Sequence, residues 1–95
     1  MERKELEVYS EASNFGIVRM PGRRFPACAI QGDSLCNLFH NAVNLLSRLK
    51  ADGACNEAIE EAEGLVRMLR ARLDHYESVL TEHGIELPYV RRSAE

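Results

Sequence analysis

This sequence has no tryptophan, and only three tyrosines and three phenylalanines, so its core has to be built from aliphatic side chains. No stretch approaches the ~20 consecutive apolar residues of a membrane span, and no membrane contact is expected. The opening run Met1-Glu2-Arg3-Lys4-Glu5-Leu6-Glu7 has no apolar stretch behind its charges, so it does not read as a secretory signal. Cysteine is scarce and odd in number: Cys28, Cys36 and Cys55, with no pair at C-x-x-C spacing. His40, His75 and His83 do not complete a metal-ligand pattern with them. No metal or cofactor is expected. The thiols read as reduced and mostly buried, as in a cytoplasmic protein. Positive charge is also short. The net charge is −3, which disfavours nucleic acid as a partner, since nonspecific binding needs a dense cationic surface.

What is present suits one soluble domain spanning 1–95, with 45% hydrophobic and 28% charged residues. A chain this short buries roughly 60–65% of its unfolded surface, so the core is modest. The hydrophobic period changes along the chain: residues 5–31 alternate with period two, and residues 33–83 follow a helical period. The spacing predicts a strand over 5–11 and a second over 15–20, joined by a hairpin loop at Ala12-Ser13-Asn14 in which Asn14 takes the left-handed position. That register sets Leu6 opposite Met20, Val8 opposite Val18 and Glu7 opposite Arg19, a favourable cross-strand charge pair. Pro21-Gly22 predicts a type II turn. The third strand, about 25–31, carries Pro26, which cannot donate to a ladder and places it at an edge. Together 5–31 form an antiparallel sheet.

Asp33 is read as the N-cap of a helix over 33–51. Its apolar face is Leu35, Leu38, Phe39, Ala42, Leu45, Leu46 and Leu49. A second helix over 55–83 stops at Gly84, with Ile59, Ala62, Val66, Leu69, Leu73, Tyr76 and Leu80 at heptad spacing. Glu63 and Arg67 stand at the i, i+4 spacing of a helical ion pair. At 1.5 Å per residue the helices span ~28 Å and ~43 Å, so the longer overhangs its partner. Residues 85–90 are too apolar for a loose end and are expected to pack back on the core, with 91–95 frayed. The fold class is therefore α+β, a three-stranded antiparallel sheet packed on a two-helix antiparallel hairpin in the order β-β-β-α-α.

The stretch MPGRRFPACAIQGDSLCNLF, residues 20–39, holds two candidate features. Arg24 and Gly32 are about 26 Å apart along an extended strand, so they do not form one small-molecule site. Arg23 and Arg24 read as a solvated turn, or else as a weak anion-binding site for carboxylate or phosphate. The Asp33-Ser34 corner reads as a cap already occupied by a carboxylate. Cys36 and His40 are one helical turn apart, but nothing orients the imidazole for nucleophilic catalysis. No catalytic residues are assigned. If the turn spans 21–23, Val18, Met20, Cys28 and Ile30 line one sheet face, and Tyr9, Phe15, Ile17, Phe25, Ala27 and Ala29 the other. Both faces are then apolar. A sheet covered by helices on one face should alternate apolar with polar, so the tail, another copy or a different protein covers the second.

The segments VYSEASNFGIVRMPGRRFPACAIQGDSL and HYESVLTEHGIELPYV resemble a family of short bacterial proteins known only as a domain of unknown function, with PGR-FP, QGDSL and HGIELPY motifs. The resemblance runs from about Val8 to Val90. It implies a strand hairpin, a turn, a helix start and a long closing helix, and it implies no activity. Small acidic single-domain proteins of this kind are often immunity partners of toxins. The expected function is therefore non-enzymatic: an immunity- or antitoxin-like protein that neutralises a bacterial toxin by direct binding. Its contacts would be the acids Glu57, Glu60 and Glu61, which would steer a basic toxin domain, and the apolar Phe15, Ile17 and Phe25. A homodimer is expected from the two-faced sheet and the overhanging helix. The alternative is a small anion- or nucleotide-binding module that uses Arg23 and Arg24, across a dimer.

Overall fold

The computed structural model describes residues 1–11 and 15–90. It contains β1 (Glu7–Ser10), β2 (Phe15–Arg19), β3 (Ala27–Ile30), α1 (Gly32–Ala51) and α2 (Asn56–Glu82), in that order. The strands form one antiparallel sheet of order β1-β2-β3, and the helices pack on each other. The α+β class and the β-β-β-α-α order are those the change of period dictates. The expected hairpin loop at Ala12, Ser13 and Asn14 and the frayed end at 91–95 lie outside the described residues.

β1 and β2 pair in the expected register at Glu7↔Arg19 and Val8↔Val18. The ladder starts at Glu7, so the expected Leu6–Met20 pair is not part of it. Beyond Val8 the register slips, and Ser10 comes opposite Ile17. Tyr9 is thus the extra residue of a β-bulge, which twists this edge of the sheet.

The turn after β2 has the hydrogen bond from Arg23 N–H to the Met20 carbonyl, 3.1 Å. Gly22 sits at φ +79°, a value that costs glycine nothing and that a type II turn requires. Arg24, Phe25 and Pro26 then follow before the ladder resumes with Val18↔Ala27, Ile17↔Cys28 and Phe15↔Ile30. This register is one residue away from that of a turn at 21–23. A one-residue slip moves every side chain of a strand to the other face. Cys28 and Ile30 therefore share a face with Phe15 and Ile17, while Ala27 and Ala29 join Val8 and Val18. The expected division of β3 between the two faces is reversed.

α1 begins at Gly32 with Gln31 as its N-cap, and no side chain caps it. Asp33, the expected cap, lies inside the first turn, where Oδ1 accepts from Ser34 N–H at 2.9 Å. The cause is tertiary. Gly32 is buried, and a Cβ there would overlap the ring of Tyr76 on α2. The close approach of the two helices sets the entry, and only glycine allows it. α2 starts one residue late, after Cys55. Both helices end in the same paired-bond pattern. Ala54 N–H donates to Leu49 O (2.9 Å) and Gly53 N–H to Lys50 O (3.2 Å); Ile85 N–H donates to Leu80 O (2.9 Å) and Gly84 N–H to Thr81 O (3.1 Å).

The core lies between the helices. Leu35, Cys36, Phe39 and Leu73 cluster there, with Val43, Val66, Leu69 and Tyr89 against them; Ala42 and Ala62 are buried as well. The Arg70 guanidinium covers the Phe39 ring at 4.8 Å from its centroid. The tail returns to this core: Tyr89 O–H donates to Oε2 of the buried Glu77 at 2.8 Å. Glu63 pairs with Lys50 across the hairpin at 3.8 Å, rather than along the helix with Arg67.

The packing of the sheet is looser than expected. Contact between sheet and helices is marginal, and every residue of β3 is exposed. β3 passes into α1 through Gln31 alone, so the sheet extends from the start of the helix pair. The part of α1 that faces it offers Leu38 among Ser34, Asn37 and Asn41. So polar a surface gives little hydrophobic drive for closure.

Candidate functional site

The chemistry-bearing side chains are dispersed. Cys36 is buried in the core, and one turn along, the His40 ring packs edge-on against Phe39 at 5.3 Å. Cys28 and Cys55 are exposed, contrary to the expectation of mostly buried thiols. Cys28 lies on the sheet and Cys55 in the connection between the helices, so neither is part of the core. Among the described residues, no group of three or more His, Cys, Asp or Glu is placed to hold a metal ion. None of their helices is long and apolar enough to cross a membrane.

Arg23 and Arg24 do come together. Both line a hollow of about 560 Å³ with Met20, Phe25 and Ala27. The Arg24 guanidinium lies over the Phe25 ring at 5.2 Å from its centroid, and Arg19 Nη1 donates to the Arg24 carbonyl at 3.4 Å. Phe25 thus keeps company with Met20 and Ala27, apart from Phe15 and Ile17. The three apolar residues expected to form one contact are divided between the two sides of the sheet.

Two apolar depressions among the described residues follow one another along α1. The first is a cleft of about 490 Å³ between the sheet and α1. Phe15, Cys28 and Ile30 face Ser34, Asn37 and Leu38 across it. The second is a groove of about 340 Å³ lined by Leu45 and Leu49 of α1 and by Ala58, Glu61, Ala62 and Leu65 of α2. Glu57 and Glu60 are exposed on the same first turns of α2. α1 is 20 residues long, or ~30 Å, in a molecule 49 Å in its longest dimension. Glu61 and Phe15 thus line different depressions, and the acids and Phe15 do not form one pocket. The distal groove was not anticipated from the sequence. Its signal is Leu65, which falls outside the heptad seam of α2 and is 43% exposed.

Electrostatics tie down two places. On β1 and β2, Arg19 donates from Nε (2.6 Å) and Nη2 to Glu7 Oε1, and Tyr9 O–H donates to the same oxygen at 2.9 Å. The hydrogen bond from Arg19, then that from Tyr9, holds the Glu7 carboxyl below the usual range. At the tail, burial first and the bond to Glu77 second push the Tyr89 phenol well above its ordinary value.

Much surface is left uncovered. The chain exposes 7637 Å², against about 5,500 Å² for a compact monomer of 10.7 kDa. Its radius of gyration is 16.1 Å, against about 12–13 Å for a compact domain of this length. No side chain among the described residues is less than 2% exposed. No curated protein and no solved structure matches this chain. The two-helix core, the exposed sheet and the turn between them belong to a sequence that does match a family model over residues 1–89: the chain is a member of DUF6959, a family of unknown function.

Proposed function

We propose that this protein works by binding and not by catalysis: it is an interaction protein of the immunity or antitoxin kind, which neutralises a bacterial toxin by covering its working surface. The observation that carries this reading is the groove at the free end of the helix pair. Leu45, Leu49, Ala58, Ala62 and Leu65 form an apolar floor, and Glu61 stands in the wall, with Glu57 and Glu60 exposed nearby. An apolar centre with a charged rim is the anatomy of a protein-recognition site. The acids steer a basic partner and raise its association rate, and a toxin that handles nucleotides or nucleic acid carries such a cationic surface. Lys50, at the same end, is taken up by Glu63. The cytoplasm is the compartment in which the exposed Cys28 and Cys55 stay reduced.

The test uses the wild type and the triple variant Glu57→Lys, Glu60→Lys, Glu61→Lys as paired baits in the native host, followed by stopped-flow kinetics with the purified partner. The wild type recovers a basic partner, and the triple variant associates at least tenfold more slowly at low salt. Circular dichroism checks the fold, because each cation at a helix N-terminus costs ~0.3–1 kcal/mol. An unchanged rate at low salt would mean that the acids are only solvated, and the reading would fail.

The hollow shared by Arg23 and Arg24 favours a second reading, a small anion- or nucleotide-binding module. A planar guanidinium pair beside an exposed ring suits a phosphate with an attached base. Calorimetric titration with inorganic phosphate and with a nucleotide separates the two readings, and Arg23→Ala with Arg24→Ala abolishes the heat if the module reading is right.

A further inference from the structure

The two edges of the sheet are built differently. β1 carries Glu7, and a bulge at Tyr9 twists it away from further pairing. Charge and bulge are the usual protections of an edge strand. β3 reads Ala-Cys-Ala-Ile, with no charge, no bulge and all four residues exposed. Pro26 stands just outside it and confines any pairing to Ala27–Ile30. This unprotected edge borders the cleft in which Phe15, Ile30 and Leu38 are 57%, 46% and 44% exposed.

The geometry points to a second copy of this chain as the occupant: β3 pairs antiparallel with the β3 of the other copy across a two-fold axis, and the two clefts close on one another. Three observations select this partner. First, no charged residue lines the cleft. Two copies, each of net charge −3, therefore meet there without like-charge repulsion, whereas a charged foreign surface finds nothing to pair with. Second, an antiparallel pairing of identical strands is what a two-fold axis perpendicular to the sheet generates. That axis keeps both clefts on the same side of the resulting six-stranded sheet. Because α1 follows β3 after Gln31 alone, it also brings the two α1 helices next to each other. Leu38, exposed on α1, then lines the approach. Third, the areas agree. The whole chain exposes roughly 2,100 Å² more than a compact monomer of its mass, and an obligate homodimer interface of about 2,000–5,000 Å² over both partners would take up part of that surface. The inference does not rest on the toxin reading, which concerns the separate groove between the C-terminal part of α1 and the start of α2.

The experiment is sedimentation equilibrium of the full chain at micromolar concentration, combined with cross-linking by a short bis-maleimide in a Cys36→Ala, Cys55→Ser background. The expected result is a dimer of twice 10.7 kDa that cross-links through Cys28 of each copy. Leu38→Asp, with an unchanged circular dichroism spectrum, raises the dimer dissociation constant about thirtyfold or more, as for loss of a central apolar contact. If Leu38→Asp does not fold, the Cys28 cross-link alone decides. A monomer throughout the concentration range would overturn the proposal. So would a dimer that cross-links through Cys55 of the Cys28→Ser, Cys36→Ala variant but not through Cys28, or one that a folded Leu38→Asp leaves intact.

Discussion

The helix pair and the sheet treat their apolar residues in opposite ways. Every buried residue of the described chain lies in α1 or α2, whereas β3 is exposed throughout and β2 is half-buried at best. The strands are richer in apolar residues than the helices, so composition does not explain the contrast. The helices meet along stripes and close with Tyr89 of the tail over the top. Among the described residues the sheet is held by its ladders and by local pairs such as Glu7–Arg19 and Tyr9–Glu7. Three strands with neither face covered are of marginal stability by themselves. Burial thus marks the helix pair as the part that holds the core and leaves the sheet exposed.

The largest test of that contrast is a pair of truncations. Leu73→Ala in the helix core is expected to cost about 2–5 kcal/mol in urea unfolding. Ile30→Ala, on the sheet, should cost within about 0.5 kcal/mol in dilute solution, as surface changes do, and more as protein concentration rises. A large cost for Ile30→Ala at every concentration would break the comparison, because the sheet would then be covered within one chain. Gly32→Ala comes next. The added methyl meets the Tyr76 ring, and overpacking of this kind costs about 1–3 kcal/mol. A neutral result in the same unfolding assay would mean that the ring swings aside.

A smaller effect is expected at the tail. Tyr89→Phe removes one hydrogen bond to Glu77, for a loss of about 1 kcal/mol in thermal or urea unfolding. The same bond gives a pH dependence. The folded state holds the Tyr89 phenol neutral beyond its ordinary range, so its contribution is whole below the unfolded value of about 10. It is lost as pH rises from there toward the raised folded value. Tyrosinate absorbance should therefore show late titration from both Tyr89 and Tyr9, whose bond to Glu7 also raises its value, and Tyr89→Phe should remove the later component. The smallest effect belongs to Glu7. Its lowered value means that its contribution is present above the ordinary carboxylate range and is lost as pH falls through the depressed one. The group is exposed, so salt should screen most of it. Carboxyl resonances followed by NMR at low and high salt measure both features.

Much of the architecture was legible in the residues. The change of period at Gly32, the Glu7–Arg19 pair and the stops at Gly53 and Gly84 all act locally, through propensity, cross-strand charge or a hydrogen-bond pattern that a few neighbouring residues complete. The seam from Ile59 to Leu80 was also legible, since an amphipathic stripe declares its own face. The misreadings share a different cause. Asp33 had the chemistry of an N-cap, but the contact between Gly32 and Tyr76, 44 positions apart, moved the helix start. Phe25 and Phe15 seemed to share a face until one more residue in the turn reversed β3. Glu57 and Phe15 were both reasonable partner contacts, yet Phe15 lines the cleft beside the sheet while Glu57 stands at the start of α2, beside a different groove.

By itself, the sequence determined the kind and order of the elements, the pairing of Glu7 with Arg19 and the places where each helix stops. These are short-range matters, in which a residue and its near neighbours carry the whole free-energy difference. Only the tertiary structure decided which face Cys28 and Ile30 occupy, where α1 begins and that the helices close on each other and leave the sheet open. Each of these depends on a register or an approach between distant segments. There a shift of one residue, or the absence of one methyl group at Gly32, changes every contact that follows, and no local pattern records it.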